Sequence, residues 1–216
     1  NACTGRGMDQ HNPYAAPQVA LVEESSPAEL PGWTPRQLRL LAWVNLASLL
    51  GTLAMLVLGF IPGEEGKQYP DWLSAVLMLV GCYVLLRFRS FAELRFAARG
   101  LAWPIWLSVG LSLLLEVLQL LWGDEVLASI SGKSLAYFGL IGLYGAITLW
   151  LGIRLLKVDN VYPSFRILAW LEIAGGALLA SVILFIVGML PLLASMLAMS
   201  LVFLRGAREL EDKRRV

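Results

Sequence analysis

From Leu40 onward the apolar residues fall in blocks of about 16 to 22 with almost no charge inside them, separated by short polar stretches. A helix needs roughly 20 such residues to cross a hydrocarbon core about 30 Å thick, so each block reads as a membrane span. Six result: Leu40 to Ile61, Trp72 to Phe88, Leu101 to Trp122, Leu135 to Leu156, Ile167 to Val187 and Leu190 to Leu204. The last two form an almost uninterrupted apolar run of 38 residues. As one helix that run would be about 57 Å long, nearly twice the hydrocarbon thickness. It must fold back, and Gly188 and Pro191 mark the expected place. The sixth span is short for a crossing, so the reading calls on a thinned bilayer or on snorkelling by Arg205. The expected fold class is an all-α integral membrane protein of six transmembrane helices.

The flanks differ from the spans. Pro13, Pro17, Pro27, Pro31 and Pro35 break a polar N-terminal segment that cannot bury enough apolar surface to offset its ordering entropy, so residues 1–37 read as a disordered tail. The first methionine, Met8, follows NACTGRG, and the native start is expected there. Domain boundaries follow as a tail (1–37), a bundle (38–205) and a charged C-terminal tail (206–216), whose alternating acids and bases suit a solvated helix end.

Orientation rests on where lysine and arginine fall, since cytoplasmic loops retain them. From Arg36 on, the ends and alternate loops carry fourteen, among them Arg39, Arg87, Arg89, Arg95, Arg99, Arg154, Lys157, Arg166 and Arg205. The opposite loops carry only Lys67 and Lys133, beside Glu64, Glu65, Asp71, Asp124 and Glu125. Both termini are therefore expected in the cytoplasm, which requires an even number of spans. Leu-Ala-Trp occurs at Leu41, Leu101 and Leu168, each time opening an odd-numbered span just after an arginine. Trp43, Trp103 and Trp170 then read as interfacial anchors, and the chain as three repeated helical hairpins, about 38–94, 99–159 and 166–205. The remaining tryptophans, Trp33, Trp72, Trp122 and Trp150 among them, read mostly as a belt.

Composition agrees with a lipid solvent: 58% hydrophobic, 15% charged, mean hydropathy +0.69. A formal net charge of +1 gives no reason to expect nucleic acid. Cys3 and Cys82 offer no disulfide framework and no CxxC pair. Inside the spans the strongly polar side chains are Asn45, Glu116, Gln119 and Glu172. A carboxylate near the centre of a spanning helix costs on the order of 3 kcal/mol, so each is a functional candidate. Asn45 and Glu172 each follow a repeat tryptophan by two residues, which puts them at one depth and within reach of each other. Gln119 follows Glu116 at i+3 on one helix face. Glu116 is expected to bond to Gln119 or to a neighbouring helix, and roughly 15 Å of depth separates it from Glu172. Gly139, Gly142, Gly145, Gly175 and Gly176 are spaced for close helix packing, as is Ala47 with Gly51.

The only histidine is His11, which leaves no haem ligand, HExxH motif or Ser-His pair. No catalytic constellation, metal site or cofactor is expected. The segment Asn12-Pro13-Tyr14-Ala15-Ala16-Pro17 resembles the short NPYxxP leader of assorted small bacterial inner-membrane proteins, many uncharacterised. That resemblance covers six residues, implies a bacterial inner-membrane setting and carries over no activity or binding residue. Two functions follow from the residues. The first is a non-enzymatic accessory or assembly subunit that associates with other membrane subunits or with itself. The second is a small transporter or channel with Glu116 and Glu172 on a proton, cation or small-solute path. Only four polar candidates inside the spans lean to the first.

Overall fold

The computed structural model describes residues 30–59, 71–123 and 131–215. Within them lie six helices and no strand: α1 (Pro35–Gly59), α2 (Asp71–Phe96), α3 (Ala102–Trp122), α4 (Gly132–Leu156), α5 (Pro163–Ala180) and α6 (Phe185–Arg215). All six are long and apolar enough to cross a membrane. Lipid offers no hydrogen bonds to an open backbone, so an apolar span closes its own ladder as a helix.

Start and stop signals are local. Thr34 and Gln37 form a reciprocal capping box: the Gln37 N–H donates to Thr34 Oγ1 at 3.2 Å and the Thr34 N–H to Gln37 Oε1 at 3.1 Å. Pro35 occupies the first helical position, where its missing N–H has no partner to lose. At the far end of α2, Ala97 turns left-handed (φ 49°) and the Ala98 N–H reaches back to Ala92 O, which stops the helix. Ser131 caps α4 by accepting from the Ser134 N–H at 3.3 Å.

The helices close a ring in chain order. Each packs on the next, and α6 returns to α1. Short links (residues 97–101, 157–162 and 181–184) make their helix pairs antiparallel. Arg39 against Glu211 and Trp33 against Phe91 show the same sense for α1 with α6 and with α2. The end of the ring holding the starts of α1, α3 and α5 is called the terminal end here, because the charged stretch of α6 also lies there. Packing is most extensive from α4 through α5 and α6 to α1, and sparser on both flanks of α2.

Glycine sets the tight seam. A Cβ on Gly176 would lie 2.4 Å from Leu149 N, and one on Gly145 would lie 2.4 Å from Ala180 N, so α4 and α5 touch backbone to backbone. Gly142 meets Val182 at 3.1 Å, Gly175 meets Leu192 at 2.7 Å, and Gly51 on α1 meets Leu77 at 2.9 Å. Gly139 departs from the expected packing role, with nothing within 4 Å of its Cβ position. It lies about one turn past the level where α5 has ended. Gly152, which the sequence reading did not single out, meets Ile173 N at 2.8 Å.

Three expectations are corrected. The fold-back lies at Ser181–Leu184, ahead of Gly188 and Pro191. There Ser181 donates to Leu178 O and accepts from the Leu184 N–H, while Val182 is left-handed at φ 61°. Pro191 sits inside α6 near its start, where a membrane helix tolerates one missing ladder bond. Gly188 is buried and its Cβ would stand 3.1 Å from Leu179 N, so it serves a close crossing with α5. Consequently α6 has 31 residues, and its apolar part from Phe185 to Leu204 is about 30 Å long, sufficient without a thinned bilayer. The tail also ends sooner than residue 37. Leu30 and Trp33 are buried, and Trp33 packs edge-on to Phe91 under the Arg87 guanidinium at 4.2 Å, so it is no belt residue. Met8, His11 and the NPYAAP segment lie outside the described residues.

The terminal end is solid. Phe88, Phe91, Phe165 and Phe203 are fully buried with Leu38, Leu101, Ile105, Leu155 and Leu168, and their rings touch at 5.7 to 6.1 Å. Each ring contact adds about 0.5–1.5 kcal/mol beyond its area. A polar clasp covers this plug. Glu209 accepts from Arg95 Nη2 at 2.8 Å and from the Tyr162 hydroxyl, and pairs with Lys213 at 3.2 Å. Burial first, then Glu209, hold the Tyr162 phenol above its usual range, so it stays a donor. The clasp ties α2, the α4–α5 link and α6 together.

A candidate binding cavity at the centre of the ring

Beyond the aromatic plug the ring does not fill its own axis. A cavity of about 330 Å³ remains, and all six helices line it. Its polar atoms come from particular periodicities on otherwise apolar helices. Ser108 and Ser112 are four apart on α3, and Tyr144 and Thr148 four apart on α4, so each pair presents one face. Asn45 and Thr52 are seven apart on α1, about two turns along the same face. Glu172 enters from α5 and Ser195 from α6.

Several of these groups are spent on the bundle. Asn45 donates both amide hydrogens to α6, to Met196 O at 2.7 Å and Ser200 Oγ at 2.9 Å, and so pins α1 to α6. The Tyr144 hydroxyl has Ser112 and Thr148 as hydrogen-bond partners, bridging α3 and α4. Others face the space with capacity left. Ser108 is 2% exposed, and its hydroxyl has no hydrogen-bond partner among the described residues. Glu172 is 9% exposed and has Ser195 beside its carboxyl. Among the described residues lining the cavity, Glu172 is the one acid, and no lysine or arginine accompanies it.

The remaining wall is soft. Met78, Met189, Met196 and Met199 line it, four of the chain's six methionines, and the Cys82 thiol donates to Met78 Sδ at 3.6 Å. Methionine's three rotatable bonds and polarisable sulfur let such a wall follow the shape of its contents.

The sequence candidates divide accordingly. Asn45 and Glu172 share the cavity, although the amide hydrogens of Asn45 go to α6 rather than to Glu172. Glu116 does not reach it. Glu116 is half-buried at the α2–α3 seam, where Ser74 on α2 donates to it at 2.5 Å, so the bond runs to a neighbouring helix and not to Gln119. Gln119 stands outside the cavity too, and its backbone carbonyl accepts the Gly123 N–H that closes α3. The path expected to combine Glu116 with Glu172 therefore keeps only Glu172. Trp43, Trp103 and Trp170 point outward from the ring, 62 to 72% exposed. The hydroxyls of Ser108, Ser112, Tyr144 and Thr148 were missed because each is common in a span; their i, i+4 pairing was the available signal.

Comparison of the chain with family models, with curated proteins and with solved structures found no match.

Proposed function

We propose that the chain is a small polytopic transporter or solute-binding protein whose central cavity takes an amphiphilic cation such as a protonated amine. One observation carries the reading: a carboxylate stands in a mid-bundle cavity without a basic side chain beside it. An intramembrane charge is expensive and is ordinarily paired, so a cation from outside the chain is the natural complement of Glu172. The volume falls at the low end of the roughly 300–1,000 Å³ typical of small-molecule sites, and an apolar wall with a few convergent polar groups is their usual composition. Eight polar side chains in the lining also remove the argument from scarcity that favoured an accessory subunit.

The plug seals the terminal end, which supports entry from the opposite one. Fourteen cationic residues toward the termini against two across the ring support a cytoplasmic terminal end. The three Leu-Ala-Trp openings support a repeat of hairpins, which in a closed ring would relate alternate helices.

The test is binding of benzylamine and of benzyl alcohol, near-isosteric with it, to the purified protein in nanodiscs, with empty nanodiscs as the blank. The amine is expected to bind at least about tenfold more tightly, a difference of about 1.4 kcal/mol. Equal affinities would show that Glu172 selects no cation.

A further inference from the structure

A second site lies at the terminal end, where the α2–α3 link meets the α4–α5 link. A cleft of about 270 Å³ opens there, and Arg99, Arg154 and Lys157 face it with Asp159 as the single acid. None of the three cations forms an ion pair with a carboxylate among the described residues. Their positions are held by backbone. The left-handed stop at Ala97 fixes the start of the link, and Gly100 turns at φ 80°, where a Cβ would stand 3.3 Å from Arg154 Nη1. Arg154 thus lies across a bare stretch of main chain, with the Trp150 ring 6.0 Å away.

Helix ends complete the electrostatics. The N-terminus of α3 begins three residues after Arg99, and Leu101 supplies no side-chain cap, so the positive end of a 21-residue helix adds to the cations. The C-terminus of α4 would oppose an anion. Arg166 offsets it by donating to Leu156 O at 2.7 Å. Trp103, in the first turn of α3, is exposed, as an aromatic ring at the level of lipid headgroups would be.

The geometry points to a phosphate-binding cleft, filled by the headgroup phosphate of an acidic phospholipid in the leaflet at the terminal end. Two guanidinium groups and an ammonium group facing one cleft suit a phosphodiester, and a basic pocket between helices at the cytoplasmic surface is a recurrent headgroup site. This site does not depend on the central cavity.

The experiment uses the full chain in a neutral maltoside detergent, with Tm measured on adding dioctanoyl phosphatidylglycerol, dioctanoyl phosphatidylcholine or inorganic phosphate. Phosphatidylglycerol at about a hundred times its Kd is expected to raise Tm by about 5 °C or more, and phosphatidylcholine by less than half of that. The exposed pair Arg99→Ala and Lys157→Ala, made together, should remove most of the increment, while Arg36→Ala with Arg215→Ala, on a different basic patch, should keep it. An equal increment from inorganic phosphate alone, lost in the same double variant, supports the cleft and makes free phosphate its ligand. Equal increments from the two lipids, or a full increment in the Arg99/Lys157 variant, would overturn the assignment.

Discussion

Replacing Gly176 with leucine is expected to abolish recovery of a folded, monodisperse protein. At this position α4 and α5 meet through backbone atoms: a Cβ would stand 2.4 Å from Leu149 N and 2.7 Å from Gly145 O. The obstacle is main chain, so no rotamer change relieves it. One extra methylene in a well-packed core costs about 1–3 kcal/mol, and a leucine adds four carbons to a seam that already tolerates none. Against a total stability of about 5–15 kcal/mol, that loss is large. Gly176→Ala should fall between, with a clear drop in Tm. Gly139→Leu is the internal control, since nothing among the described residues lies within 4 Å of its Cβ position. Size-exclusion profile and Tm in detergent measure all three. A native profile for Gly176→Leu would mean that the α4–α5 contact is looser than described.

The second large effect falls on binding. Glu172→Gln is nearly isosteric and keeps a hydrogen-bond acceptor beside Ser195, so the bundle should fold with little change in Tm. It removes the one acid among the described residues that line the cavity. Affinity for benzylamine is expected to fall at least tenfold, about 1.4 kcal/mol, while benzyl alcohol is unaffected. Glu116→Gln should leave the amine affinity within about twofold, because Glu116 is engaged by Ser74 at the α2–α3 seam; its effect belongs to stability and stays near the 1 kcal/mol of one hydrogen bond. Ser108→Ala separates the two roles further. Its hydroxyl has no partner to lose among the described residues, so stability should hold or rise slightly while the ligand loses a contact. If the two glutamate variants weakened binding equally, Glu172 would hold no special place.

Much of this architecture is visible in the chain before any coordinates. Six apolar blocks mark six helices because lipid forces each block to satisfy its own backbone, and the 38-residue run had to fold because it was too long for one crossing. The place of the fold-back was not visible. Gly188 and Pro191 are the residues that usually end helices, yet the turn is made by Ser181 and Val182, whose side-chain bonds and left-handed backbone leave little trace in hydropathy. The capping box at Thr34 and Gln37 was legible by spacing but overshadowed by the proline-rich segment around it.

The site was half legible. Asn45 and Glu172 stood out because amides and carboxylates are rare in spans, and both line the cavity. Glu116 stood out for the same reason and faces elsewhere, since the exposure of a charged side chain in a helix does not say which neighbour it meets. The serine, threonine and tyrosine hydroxyls carry little penalty in a span and drew no attention. Only ring closure, with α6 returning to α1, brings their faces together, and closure depends on backbone proximity at Gly145 and Gly176 that spacing suggests but does not fix.

If the cavity seeks cations and is entered from the side opposite the termini, Cys82 should sense both properties beside Glu172. Cys82 is the only cysteine among the described residues and lines that cavity. With Cys3 replaced by serine, its reaction with membrane-impermeant methanethiosulfonates in sealed vesicles of known orientation tests both directly. Modification is expected from the side opposite the termini, at a rate about tenfold or more higher for a cationic reagent than for an anionic one of equal size, with loss of that preference in Glu172→Gln. Equal rates for the two reagents, or modification from the terminal side alone, would contradict it.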